Sequence, residues 1–137
     1  MKILYVEDNE DNIYILKRRL GRLGYDVSIA TDGADGIAKA NELKPDLILM
    51  DLSLPGMSGF EFLAELRERS ESRHTPVVVI TAKDLTEDDK RRLDGGVAHI
   101  LQKSASSTAE LLEELQRTLA ECVLRRRRPA EAGREAA

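Results

Sequence analysis

The 137-residue chain has no tryptophan, one cysteine, and only three tyrosines and two phenylalanines. A single cysteine cannot build an internal disulfide framework, and it fits a reducing, cytoplasmic setting. Scarce aromatics leave no stacking platform for single-stranded nucleic acid. Runs such as Val77-Val78-Val79-Ile80 fall far short of the roughly 20 apolar residues that span a bilayer. The N-terminal stretch Met1 to Asp8 turns acidic too soon for a signal peptide. A positive balance is missing as well. The net charge is −4, and residues 125–137 carry +3 of their own, which leaves −7 on residues 1–124. An acidic body argues against nucleic acid as the main partner and suits a module that binds a cation or meets basic patches.

What the chain does have is alternation. Apolar, β-rich runs occur at 2–6, 25–30, 46–50, 76–81 and 98–102. Three of them, Ile3–Val6, Leu47–Met50 and Val77–Ile80, are continuously apolar, as strands covered on both faces are. Segments of helical period follow each run, at about 10–23, 34–43, 59–70, 86–93 and 107–124. The first places Ile13, Leu16, Leu20 and Leu23 on one stripe and ends at Gly24. The third puts Phe62 and Leu66 on one face. The fourth opens with Thr86-Glu87-Asp88-Asp89, a capping-box pattern, and closes at Gly95-Gly96. The fifth aligns Leu111, Leu115, Leu119 and Cys122. Five β-α repeats predict one α/β domain with a parallel sheet over residues 1–124, followed by a basic tail, 125–137, expected to be disordered.

Four strand ends carry polar residues in the same sense: Glu7-Asp8, Asp51, Thr81 and Gln102-Lys103. In an open parallel sheet these ends share one edge, where ligands bind. Carboxylates gathered there need a cation, and oxygen ligands with room for water favour magnesium over calcium or zinc. A carboxylate beside such an ion can attack phosphorus and form an aspartyl phosphate. A Lys ammonium and a Thr hydroxyl suit the remaining phosphoryl oxygens. Any one of these residues could simply start a loop or cap a helix, and Asp8, with Asp11 three residues on, partly fits that role. Four polar strand ends at once fit it poorly.

Other motifs carry less. Asp8-Asn9-Glu10-Asp11-Asn12 has Ile13 where a calcium loop needs glycine. Gly33 and Gly36 lack the spacing of a dinucleotide fingerprint. His74 and His99 lack ligand spacing, Cys122 reads as packing, and Arg125–Arg128 reads as a solvated helix end.

Over roughly residues 1–122 the chain resembles the receiver domain of two-component response regulators. The resemblance is carried by Val6-Glu7-Asp8-Asn9, by Asp51-Leu52-Ser53-Leu54-Pro55-Gly56-Met57-Ser58-Gly59, by Thr81-Ala82 and by Lys103. It implies a flavodoxin-like (βα)5 doubly wound fold of strand order 2-1-3-4-5. It implies that Asp51 accepts a phosphoryl group from a histidine kinase or a histidine phosphotransfer protein. Asp8 directly, Glu7 through water, and the Ser53 carbonyl would hold Mg2+ with Asp51. Thr81 and Lys103 would contact the phosphoryl oxygens. The expected output is contact with a downstream protein target, by a monomer or weak dimer acting as a switch rather than an enzyme. The span beyond helix five has no room for a DNA-binding output domain. That points to a stand-alone regulator, a relay intermediate or a receiver excised from a longer protein.

Two positions depart from the family pattern. Ile100 replaces the usual aromatic, and Ser104 replaces the usual proline. A haloacid-dehalogenase-like phosphohydrolase is the alternative of a different class, but Ser53 stands where it needs a second aspartate. A receiver used only for docking would be expected to have lost the acids, Thr81 or Lys103.

Overall fold

The computed structural model describes residues 1–52, 54, 56–69, 74–81, 85–93, 97, 99–102 and 108–136, with backbone alone at 108, 123 and 125–136. Strand β1 (Lys2–Val6) is followed by α1 (Glu10–Arg22), β2 (Asp26–Ala30), α2 (Gly33–Leu43) and β3 (Leu47–Met50). Then come α3 (Gly59–Glu68), β4 (Val77–Thr81), α4 (Glu87–Leu93), β5 (His99–Gln102) and α5 (Thr108–Ala136). The five strands form one parallel sheet of order β2-β1-β3-β4-β5. This is the predicted flavodoxin-like arrangement.

The continuous apolar runs are explained by burial on both faces. Because side chains alternate along a strand, Leu4, Val6, Ile48, Met50, Val77 and Val79 join one core with Ile37 and Ala40 of α2, Phe62, Leu63 and Leu66 of α3, and Leu93 of α4. Ile3, Tyr5, Leu47, Leu49, Val78 and Ile80 form the other with Leu16 and Leu20 of α1 and Leu112, Leu115, Leu119 and Cys122 of α5. Each fully buried aliphatic side chain contributes about 1.5–3 kcal/mol. A polar residue inside one of the central strands would therefore be costly, and the polar groups collect at the strand ends instead.

Two expectations change. Leu23 does not share the α1 stripe; it is the C-cap and is 47% exposed. The helix stops at Arg22, and the turn through Gly24 (φ 93°) carries Leu23 off the sheet. The fifth helix, expected over about 107–124, continues to Ala136. Leu112, Leu115, Leu119 and Cys122 of this helix are buried against the sheet, and Leu124 is exposed.

Local chemistry sets the helix starts. Asn9, Asp32 and Ser58 cap α1, α2 and α3 by accepting from the backbone N–H three residues on. At α4 the predicted capping box is present: Asp89 N–H donates to Thr86 Oγ1 (3.0 Å) and Thr86 N–H to Asp89 Oδ2 (3.1 Å). Its closing glycines, 95 and 96, lie outside the described residues.

The loop after β3 is tied down by Gly59. Its N–H donates to the Leu52 carbonyl (3.0 Å). A Cβ there would meet Leu52 Cα at 2.7 Å, so the glycine is needed for close approach, whereas Gly56 in the same loop has a positive φ (77°). Gly59→Ala is expected to lower unfolding free energy by about 1–3 kcal/mol, as overpacking against a backbone does. Gly21→Ala, in open space within α1, should raise it by about 0.5–1 kcal/mol. Urea denaturation of the two variants checks both signs.

Candidate functional site

The parallel register brings the strand ends together. Val6 pairs with Met50, and Met50 with Val79, so the residues following them share one edge. Asp51 N–H donates to the Val6 carbonyl (3.3 Å), which sets Asp51 beside Glu7. Glu7 N–H donates in turn to the Ala30 carbonyl of β2 (2.9 Å). Thr81 closes β4 opposite Gln102 of β5. Of the six residues singled out from the sequence, Glu7, Asp8, Asp51 and Thr81 are thus carried on this edge. Ser53 and Lys103 lie outside the described residues, as do Pro55, Lys83 and Ser104.

Their environments differ sharply. Glu7 is 1% exposed and Thr81 is fully buried, while Asp51 is half-buried and Asp8 is exposed. Glu7 therefore needs donors, and it has them. Asn12 Nδ2 donates to Glu7 Oε1 at 2.8 Å, and the Tyr5 hydroxyl approaches the same oxygen at 3.4 Å. Asp8 N–H donates to Oε2 at 3.2 Å. Burial, then the nearby carboxylates of Glu7 and Asp51, then the hydrogen bond to Glu7 push the Tyr5 phenol well above its ordinary pKa. It is a fixed donor in this pocket.

Tyr5 and Asn12 are the residues that sequence reading missed. Tyr5 reads as part of an apolar run, and Asn12 as part of a failed calcium loop. The available signal was the hydroxyl itself, because a tyrosine inside a buried strand needs a partner within reach.

Glu7, Asp8 and Asp51 do not by themselves close into a cage; among the described residues no three His, Cys, Asp or Glu side chains form a metal-binding group. The donor set still fits magnesium. It is all oxygen, and this ion keeps several waters while taking only one or two carboxylates from a protein. A cleft of about 620 Å³ opens between the loops after β2 and β3, walled by Thr31, Asp32, Ala34, Gly56 and Met57, and by none of the four site residues.

The model of the response regulator receiver domain matches residues 3–116. The chain belongs to the response regulator receiver family. As a receiver it is a signalling domain of the two-component type, and such domains act with histidine kinases and downstream targets. Among curated relatives, PleD of Caulobacter vibrioides is 40% identical over 102 residues, 74% of this chain but 22% of PleD. PilH of Pseudomonas aeruginosa is 38% identical over 64% of this chain and 72% of its own. The polar-differentiation regulator DivK of Brucella anthropi is 36% identical over 76% of this chain and 85% of its own. The chain thus spans about a fifth of PleD and most of PilH and DivK.

Solved receivers agree. The receiver domain of the sensor histidine kinase PA1611 of Pseudomonas aeruginosa, which holds a magnesium ion in its active-site cleft, is 34% identical with a TM-score of 0.72, over 87% of this chain and 97% of that one. The chemotaxis regulator CheY4 of Vibrio cholerae is 30% identical with a TM-score of 0.74, over 85% and 97%. Among the described residues of the present receiver, no helix is long and apolar enough to cross a membrane.

Asp8 is exposed and Asn9 holds the cap of α1, which separates a structural role from a chemical one. In metal-free buffer Asn9→Ala should cost about 1 kcal/mol of stability, with Asn9→Asp retaining most of it. Asp8→Ala should stay within about 0.5 kcal/mol of the parent. Thermal and urea unfolding compare the three; a large loss in Asp8→Ala would return Asp8 to the structural role.

Proposed function

We propose that this receiver is a phosphoacceptor switch in which Asp51 takes a phosphoryl group from a phosphohistidine on a histidine kinase or histidine phosphotransfer protein. The observation that carries the reading is the half-buried Asp51 carboxylate at the end of the central strand, held level with Glu7 by the Val6–Asp51 backbone bond.

In the proposed step a carboxylate oxygen of Asp51 attacks phosphorus in line. The P–N bond breaks, and its electron pair stays on the departing imidazole. Bound by Asp8, Asp51 and the Ser53 carbonyl, with Glu7 ordering its water, Mg2+ would supply the charge that offsets the phosphoryl oxygens. Thr81 donates its hydroxyl to one of those oxygens, and Lys103 offers a point charge to another. Rigidity at the base of the site comes from the sheet, so Asp51 is aimed before any donor arrives. The intrinsic phosphorylation and slow hydrolysis expected of such a site leave the chain a switch rather than an enzyme with its own substrate.

Signal output is proposed to pass through protein contacts, in the cytoplasm, from a receiver unit of residues 1–124. Ile100 is half-buried on β5 and packs against the α2–α3–α4 core. With no ring there to swing, the aromatic-rotation part of the family's usual switch has no counterpart at this position.

Intact-mass analysis after incubation with acetyl phosphate and magnesium tests the reading. One added phosphoryl group is expected, lost on chelation of the metal and lost in Asp51→Asn. Equal labelling of Asp51→Asn would remove Asp51 as the acceptor. Rapid turnover of many phosphomonoesters without a lasting adduct would favour a hydrolase, and no labelling under any condition would favour a docking module.

A further inference from the structure

The network around Glu7 lies outside the residues assigned to phosphoryl transfer, and it joins two elements. Asn12 sits in the first turn of α1, where its own N–H is taken by the Asn9 cap (3.0 Å). Its side-chain amide is then directed back to Glu7 Oε1 at 2.8 Å, within the ordinary range for such a bond. Tyr5 reaches the same oxygen from beneath, two residues earlier on β1, and at 3.4 Å this is the longer contact. Glu7 Oε2 is approached on its other side by the Asp8 N–H. Both carboxylate oxygens therefore have fixed directions before any ion arrives.

A bland account is available: a buried carboxylate needs donors, and Asn12 and Tyr5 supply them. That account explains stability alone. Two side-chain donors from different elements converge on Oε1, and the backbone of Asp8, the neighbouring acid, reaches Oε2. Groups that hydrogen-bond a carboxylate at a metal site orient it, and their loss typically lowers metal affinity about 10–100-fold.

We propose that Asn12, assisted by Tyr5, is a positioning residue for the cation site: it clamps Glu7 Oε1 so that the carboxylate is oriented, ahead of binding, to order the water shell of a divalent ion at Asp8 and Asp51. This rests on the reading of the edge as a magnesium-dependent phosphoacceptor. The clamp also ties the N-terminal turn of α1 to the acid pocket.

The test is magnesium titration of the full chain by calorimetry, without phosphodonor, alongside thermal unfolding. Asn12→Leu keeps approximate size and removes the amide, and Tyr5→Phe removes only the hydroxyl. Asn12→Leu should raise the magnesium Kd about tenfold, and Tyr5→Phe should raise it by less. Leu16→Ala, a cavity variant on the same helix, should unfold more easily yet keep the parent Kd. Equal Kd values for the parent and the clamp variants would overturn the proposal while leaving phosphoacceptance standing. A Kd rise in Leu16→Ala matching that of Asn12→Leu would overturn it too, because affinity would then follow stability. If the parent takes up no magnesium, the underlying reading falls and the clamp falls with it. Should Asn12→Leu not fold, Tyr5→Phe against Leu16→Ala carries the same comparison.

Discussion

A carboxylate taken out of water must be given hydrogen bonds or neutralised, since an uncompensated buried charge costs several kcal/mol. Glu7 is in that position at the end of β1, and much of the surrounding structure answers it. Asn12 reaches it from α1, Tyr5 from the strand below, and the Asp8 backbone from the loop. Those donors also fix the chain's path from β1 into α1. Asn12 joins the helix start to the acid at the sheet edge, with its N–H on the Asn9 cap and its side-chain amide on Glu7.

The rest of the molecule supplies the stiffness that makes this arrangement useful. Central strands buried on both faces leave no room for slippage, because a shift of one residue would exchange the two cores. Glycine enters where helices or loops press closest. Besides Gly59 against Leu52, a Cβ at Gly36 would meet the Phe62 ring at 2.7 Å, so the Phe62 ring of α3 lies directly on the α2 backbone at that point. At the next boundary Arg92 of α4 lies over the Phe60 ring of α3, 3.9 Å from its centroid. The helices on that face are thus linked in series: α2 to α3 by contact and α3 to α4 by a stacked cation.

The sequence made the strand positions legible because burial on both faces produces continuous apolar runs, a pattern that needs no knowledge of neighbours. Glu7, Asp8, Asp51 and Thr81 were legible for the complementary reason, as polar groups standing directly after such runs. Leu23 was misassigned because helical period says nothing about where a helix stops, and the turn at Gly24 decides that. Asn9 rather than Asp8 caps α1, a choice that depends on backbone angles unavailable to a pattern of residue types. Tyr5 and Asn12 stayed hidden because their role is a distance, not a spacing. The extent of α5 past 124 was missed because residues 125–136 have no apolar stripe from which to read a helix.

The absence of tryptophan bears on how this pocket can be observed. Tryptophan, where present, dominates near-ultraviolet emission, and this chain leaves that band to Tyr5, Tyr14 and Tyr25. Tyr14 is 63% exposed, whereas Tyr5 is buried with its hydroxyl against a carboxylate that belongs to the acid pocket. Emission from a phenol is sensitive to a proton acceptor at its oxygen. The Tyr5–Glu7 contact therefore puts one of the three phenols of the chain against the acid edge, where a carboxylate beside the hydroxyl is expected to quench its emission.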